Sequence, residues 1–409
     1  MRPCMREHWI LIFAYHFPPE NSIGGARPYR FYKYLPRHGF KCHVITAADV
    51  STRPDLDAEY VSDPFIARQT KGFQWHVERS IRKILLPGVT GIQWAQRAFR
   101  TAVRFVDQHP HDQITVLSTF PPLGPHLAGW ALARRKRLCW IADFRDPLAG
   151  NPVNSRLGWQ THAFYEWLER RFIRCAHAVI ANTDEAERVL KLKYPQQAGR
   201  IHLLWNGFDP EERIQALPVP ERPFRILTHV GELYEGRTAT PLLQSIARLI
   251  AAGRLQSNRI VVQLVGPVQS SCLPDRAFIQ RAEGQGWLKI VPIQIPKSDA
   301  QRLAQTSEGL LIIQPQSAIQ VPGKLFEYLQ IGRPILAFLP RQSSIERVLE
   351  KSGIPYKCIY AGDPVETFDE TVLSFFHLPN EARKPSAWFD ETFNGDSQTA
   401  TLVDVIRNL

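Results

Sequence analysis

Several features are scarce or missing in this 409-residue chain, and each narrows what it can be. Its clearest apolar runs, such as 9–15 and 309–313, are far shorter than the roughly 20 residues of a membrane-spanning helix. The first run is no secretory leader core either. Glu7 precedes it, and His16-Phe-Pro-Pro-Glu follows without a small-residue cleavage site. The six cysteines, Cys4, Cys42, Cys139, Cys175, Cys272 and Cys358, show no paired spacing. That argues against a zinc site and a disulfide framework, and for a reducing compartment. A cytoplasmic protein is expected. A Gly-x-Gly-x-x-Gly fingerprint is absent after the first apolar run, which removes the usual dinucleotide signature. No recognised nucleic-acid-binding module is present either, so no nucleic-acid partner is expected.

What is there is an ordinary globular composition, 44% hydrophobic and 22% charged, in a length suited to two or three domains. Charge is uneven. Residues 1–215 hold 30 Lys and Arg against 20 Asp and Glu, whereas residues 216–409 hold 20 against 19. Eight of the ten tryptophans also fall in the first part. That asymmetry points to an acidic partner such as a phosphorylated substrate or an anionic membrane surface. Within it, 93–105 places Trp94, Ala98, Ala102 and Phe105 on one helical face and Arg97, Arg100 and Arg104 on another. The pattern fits an interfacial helix. It also fits a helix packed on a sheet, the favoured reading, because such stripes usually face the core.

Short apolar runs at 8–15, 41–46, 114–118, 139–143, 178–182, 201–205, 224–230, 260–265, 288–293, 309–313 and 334–338 read as strands. Helical patterns at 28–38, 123–137, 158–176, 184–194 and 241–252 lie between them. Alternation of this kind predicts α/β architecture with parallel sheets covered on both faces. Pro218-Val-Pro-Glu-Arg-Pro reads as a linker. The expected division is 1–215, 216–386 and a tail, 387–409, that packs back on the first domain. Ligands of such sheets bind beyond the carboxyl ends of the strands, here expected in an interdomain cleft.

The segment Val321-Pro-Gly-Lys-Leu-Phe-Glu-Tyr-Leu-Gln-Ile-Gly-Arg-Pro-Ile-Leu-Ala-Phe reads as a loop, a short helix, a glycine turn and a buried strand. Pro322 and Gly323 open the helix, whose first N–H groups suit an anion. Lys324 adds a cation, and Glu327, one turn on, faces the same side. Elsewhere, Gly24 and Gly25 let backbone approach a ligand and Arg27 can meet phosphate, although a tight turn explains the glycines equally well. Asp143-Phe-Arg-Asp-Pro follows a strand. Asp143, Arg145 and Asp146 suit hydroxyls and a phosphate or carboxylate; the alternative is an Arg–Asp pair that stiffens the loop. His126, after Phe120-Pro-Pro, is a ligand or acid/base candidate, or a capping group.

In this order along the chain, these segments resemble family-4 retaining glycosyltransferases of the GT-B fold. The Pro-Pro-x…Gly-Gly loop, Arg37-His-Gly-Phe-Lys-Cys-His-Val, Asn206-Gly-Phe-Asp and the 321–338 segment carry the likeness. The Asp143-Phe-Arg-Asp-Pro loop resembles a bacterial subgroup. In the family, a Gly-Arg…Lys-Gly loop after the second domain's first strand holds the donor diphosphate. Here His229-Val-Gly-Glu-Leu-Tyr-Glu-Gly-Arg puts Gly231 in that loop, Glu232 at the Arg position and Arg237 at the Lys position. Glu327 matches the second glutamate of the family's E-x7-E pattern, while Ile319 stands at the first, beside Gln316 and Gln320.

The resemblance implies two Rossmann-like doubly wound domains and transfer of a sugar from a nucleotide-diphosphate donor to a hydroxyl, with retention. It implies a donor site of Gly231, Arg237, Pro322, Gly323, Lys324 and Glu327, closed by Gly24, Gly25 and Arg27. Asp143, Arg145, Asp146 and His126 fall to the acceptor side. No Asp-x-Asp stands beside a candidate donor loop, and basic side chains can take a metal's part, so neither metal nor cofactor is expected. The expected acceptor is a glycan or a lipid-linked group, with a peripheral place at the inner face of a membrane and a role in cell-surface polysaccharide or glycolipid synthesis. Two other readings stand beside it: a nucleotide-sugar epimerase of similar fold, and a degenerate non-catalytic sugar-nucleotide-binding or scaffolding protein.

Overall fold

The computed structural model describes residues 6–19, 23–48, 53–63, 91–150, 158–234 and 236–409. Cys4, residues 20–22 of the first loop and Glu235 lie outside them. The chain forms two compact units, Met1–Pro210 with Phe393–Leu409, and Glu211–Thr392.

In the first unit the strands are β1 (His8–Phe13), β2 (Lys41–Ala48), β3 (Ala58–Ser62), β4 (Gln113–Phe120), β5 (Cys139–Phe144), β6 (Ala178–Ala181) and β7 (Ile201–Leu203). They make a parallel sheet in the order β3-β2-β1-β4-β5-β6-β7. Its described helices are α1 (Ile23–Tyr34), α2 (Ile92–Gln108), α3 (Gly124–Lys136), α4 (Trp159–Cys175) and α5 (Asp184–Lys193). Successive strand residues point to opposite faces. Ile10 and Ile12 of β1 accordingly join Phe31 and Leu35, at and just after α1, in one core cluster. Leu11 and Phe13, equally buried, face the other way.

The second unit has β8 (Arg225–Val230), β9 (Ile260–Val265), β10 (Leu288–Val291), β11 (Gly309–Ile313), β12 (Ile335–Leu339) and β13 (Tyr356–Tyr360). Their order is β10-β9-β8-β11-β12-β13, again parallel. The helices are α6 (Thr240–Ala251), α7 (Arg276–Gly284), α8 (Lys297–Gln305), α9 (Gly323–Ile331), α10 (Ser344–Ser352), α11 (Val365–Phe376) and α12 (Ala387–Phe393). The last helix, α13 (Gly395–Arg407), returns to the first unit, where Leu402, Val403 and Ile406 enter the cluster around Ile10. The Asn206–Asp209 turn receives it: Phe208 N–H donates to the Phe393 carbonyl at 2.9 Å and Gly395 N–H to the Phe208 carbonyl at 2.9 Å. A Cβ on Gly207 would collide with that Phe393 carbonyl at 1.9 Å.

Two expectations about boundaries need revision, while the favoured placement of the α2 apolar face against the sheet holds. Trp94, Ala98 and Ala102 are fully buried, and Arg97 and Arg104 bond to Ser62 and Glu59 of β3. The proline-rich 218–223 stretch is not a free linker. Arg222 pairs with Glu308 at 2.8 Å, and the Leu217 carbonyl accepts from Arg333 at 3.1 Å, so the second unit begins at Glu211. Residues 387–392 belong to the second unit as well, with Ser386 N–H donating to the Ser352 carbonyl at 2.7 Å just before α12. Strands β3 and β13, at sheet edges, escaped the periodicity reading. Each buries only one residue fully, so neither shows a continuous apolar run.

Candidate functional site

Strand order in the second unit reverses between β8 and β11, and in parallel α/β sheets ligands bind beyond the carboxyl ends of the strands at such a point. The chain leaves β8 through Gly231 and β11 through Gln314. Helix α9 begins nearby with Pro322 as its cap and without a side-chain bond to its first N–H groups. Lys324, in that first turn, reaches back to the end of β8. Gly231 has φ +129°, a conformation that strains any residue with a Cβ, and a Cβ there would come within 2.6 Å of the Lys324 ammonium.

His229 defines the other wall. Its Nδ1 lies 3.0 Å from the Leu311 carbonyl, an obligate acceptor, so Nδ1 carries the proton. Nε2 is therefore an acceptor, and it sits 3.2 Å from Lys324 Nζ. Burial, reinforced by the neighbouring Lys324 charge, holds the imidazole well below its usual pKa. Lys324 itself is pushed down to about 7, by burial first and then by the Arg237 guanidinium, with Glu327 opposing. Burial raises the pKa of Glu327, while Lys297, Gln301 and Lys324 restrain that rise.

Arg237 stacks over the Tyr234 ring, 4.5 Å from its centroid, and its Nε is buried without a hydrogen-bond partner. The Oε1 atoms of Gln314 and Gln316 are also buried and unpartnered. Buried polar atoms are normally bonded, so these three orphans, one donor and two acceptors, suit a ligand that carries both an anionic group and hydroxyls. Of the expected donor residues, the structure thus gathers Gly231, Arg237, Pro322, Gly323, Lys324 and Glu327 in one unit. It adds His229, Gln314 and Lys297. A histidine within a run as apolar as Ile226-Leu-Thr-His-Val was a signal that sequence reading left unused.

The first unit tells a different story. Arg27, expected to meet phosphate, gives Nε and Nη2 to Asp143 at 2.9 and 2.8 Å, and Nη1 to Trp205 O and Asn206 Oδ1. The pair is buried, so it fastens α1 to β5 and the Asn206 turn. Asp143 is committed in the same bond and is not available to an acceptor. Arg145 is a loop clamp. Its side chain donates to the carbonyls of Phe120, Pro121 and Gly24. The Gly24 bond has a local cause: Pro28, four residues on, has no N–H to offer that carbonyl. Gly24 and Gly25 themselves lie in the first turn of α1, where a Cβ on Gly25 would sit 3.3 Å from the Phe17 backbone. Burial lowers the Arg145 pKa, and Asp143 and Asp146 work against that shift.

His126 is not an exposed acid or base. It is fully buried beside Phe144, Phe172 and Trp140, with Nδ1 2.8 Å from Ser118 Oγ, which also accepts from Trp140 Nε1. Burial pushes it down to about 3, so it stays neutral in the core.

Residues 26–212 match the family model described as Glycosyltransferase Family 4. Among solved structures, the sucrose-phosphate synthase of Thermosynechococcus elongatus is similar over 98% of this chain and 99% of its own, at 13% identity and a TM-score of 0.68. HepE of Anabaena, solved in complex with UDP and glucose, matches over 98% and 100%, at 12% identity and a TM-score of 0.59. The lipopolysaccharide outer core galactosyltransferase WaaB matches over 98% and 99%, at 12% identity and a TM-score of 0.59. The family match covers residues 26–212, less than half of the chain, and the structural likeness shows a fold of the GT-B type. No curated protein matched it by sequence.

Arg237 stands where the resembled family's diphosphate loop carries its Lys, and Lys324 of α9 is a second cation in the same unit, close enough for Arg237 to lower the lysine's affinity for a proton. Glu232, at the expected Arg position, is exposed. Among the described residues no group of three metal-binding side chains occurs.

Proposed function

We propose that the chain is a glycosyltransferase that binds a nucleoside-diphosphate sugar in its second unit and transfers the sugar, with retention, to a hydroxyl of a glycan or lipid-linked acceptor in cell-surface polysaccharide or glycolipid synthesis. The observation that carries the donor site is the pairing of Lys324 and Arg237 beside Gly231, ringed by buried polar atoms without partners. As the glycosidic bond breaks, negative charge grows on the leaving diphosphate, and fixed cations beside it lower the barrier. Free N–H groups at the start of α9 add to that field. Glu327 then holds a sugar or ribose hydroxyl. Gln316, and Gln314 with Gln320, offer carbonyl oxygens to donor hydroxyls where Ile319 cannot. These cations take the place of a metal ion, so none is required. HepE, solved with UDP and glucose, and WaaB, a galactosyltransferase of the lipopolysaccharide outer core, support the donor class and the cell-surface setting.

The test is a calorimetric screen of nucleotide-sugar donors, followed by transfer assays on glycan and lipid-linked acceptors with the tightest binder. Anomeric configuration of the product, read by NMR, reports retention. Donor turnover to an epimer without any acceptor would replace this reading with isomerisation. Binding of no nucleoside diphosphate at all would remove it.

A further inference from the structure

With α2 turned into the core, the largest exposed aromatic residues of the described surface are on α4. Trp159 is 77% exposed and Trp167 56% exposed. At 100° per residue, they fall on one face with Arg170, Arg171 and Arg174, all exposed, while Thr161, Tyr165, Leu168 and Phe172 supply the opposite, buried face. The helix therefore has its own core stripe and a second aromatic stripe that the described chain does not cover. Phe164 stacks on Trp167 with ring centroids 6.1 Å apart, which widens that stripe.

The basic residues continue onto the adjoining helix. Trp130 of α3 lies between two guanidiniums, Arg134 at 5.6 Å and Arg171 at 5.8 Å from its ring. The result is one patch of indole rings interleaved with arginines, containing Glu166 as the exposed acid on the α4 face. Core helices do not build such a face, because arginine has no partner there. Tryptophan with arginine at one level is instead the composition of a headgroup boundary, where the indole meets acyl chains and the guanidinium meets phosphate.

We propose that the α4 face, centred on Trp159, Trp167 and Arg170–Arg174, docks the protein on an anionic membrane surface. Charge complementarity decides the occupant. The first 215 residues carry a balance of ten positive charges, and the patch concentrates part of that excess beside exposed indoles. The proposal rests on the reading above only for its purpose, the delivery of a lipid-linked acceptor. Vesicle binding itself is measured without donor or acceptor, so failure of either reading is visible separately.

The experiment is co-sedimentation of the full chain with phosphatidylcholine vesicles with and without phosphatidylglycerol. Binding is expected only to the anionic vesicles and is expected to be released by high salt. Changing Arg170, Arg171 and Arg174 together to Gln should weaken it about a hundredfold, from roughly fivefold per basic residue near such a surface. Changing Trp159 and Trp167 to Ala should weaken it by roughly tenfold or more through lost indole burial. The triple Arg→Lys variant should keep binding, which separates lost charge from a damaged helix. Equal binding to neutral vesicles would overturn the proposal, as would unchanged binding in both the Gln and the Ala variants. Concentration-dependent self-association lost in the Ala variant, without vesicle binding, would assign the face to a second copy and overturn it too.

Discussion

Lys324 Nζ lies 3.2 Å from His229 Nε2, and the proton on His229 Nδ1 is claimed by the Leu311 carbonyl. A backbone oxygen of β11 thereby fixes the tautomer that lets a strand histidine hold a helix lysine at the mouth of the sheet. The lysine is positioned by a neutral acceptor and not by a carboxylate, so its charge stays available to an anion.

Removing either cation should weaken nucleoside-diphosphate binding. Lys324→Ala and Arg237→Ala are each expected to cost about 1.5–3 kcal/mol, the scale of a hydrogen bond to a charged group. Isothermal titration with UDP and other diphosphates reads it. Unchanged affinity in both variants would remove the site from this unit.

Affinity for diphosphate should depend on pH through Lys324. With its pKa pushed down to about 7 in the free protein, the ammonium is fully charged below that pH and is lost as pH rises through it. A bound diphosphate favours the charged form, so binding takes up a proton above pH 7. The Kd should then rise by up to about tenfold per pH unit until the bound-state pKa is reached. His229, held neutral, contributes nothing to this slope. Titrations in buffers of different ionisation enthalpy count the proton. A Lys324→Met variant should show a flat profile over the same range, and a wild-type profile that is equally flat contradicts the assignment.

The Arg27–Asp143 pair should matter for stability. Both side chains are buried, so truncating one leaves the other's charge unpaired, at about 3–5 kcal/mol. Arg27→Ala and Asp143→Ala should both lower the midpoint of denaturant unfolding of the first unit. The double replacement Arg27→Met with Asp143→Leu should recover much of the loss, because no lone charge remains buried. Equal instability of the double variant would point to a role outside the pair.

Chelator should leave sugar transfer intact. In the proposed reading, Lys324, Arg237 and the α9 N-terminus supply the charge stabilisation on the donor side. Activity lost in EDTA and restored by magnesium or manganese would contradict that account.

Alternation of apolar runs and helical patterns made the two parallel sheets legible, because a strand buried on both faces must be nearly continuous in Val, Ile and Leu. The 321–338 segment was equally readable: Pro322 starts α9 and Gly332, with φ +76°, ends it. Local sequence also carries the loop chemistry of Gly231, whose positive φ demands glycine. Tertiary structure decided the rest, because it alone brings distant polar groups together. Arg27, Asp143 and Arg145 looked like ligand-binding residues in sequence, since a charged loop beside a strand end reads the same whether its partner is a substrate or a carbonyl. Only the fold shows that Pro28 leaves the Gly24 carbonyl to Arg145, and that Asp143 is closed by Arg27. The same holds for the two tryptophan-bearing helices. Periodicity gives α2 one apolar stripe and cannot say which way it points. The sheet fixes that, burying Trp94 and leaving Trp159 and Trp167 of α4 at the surface.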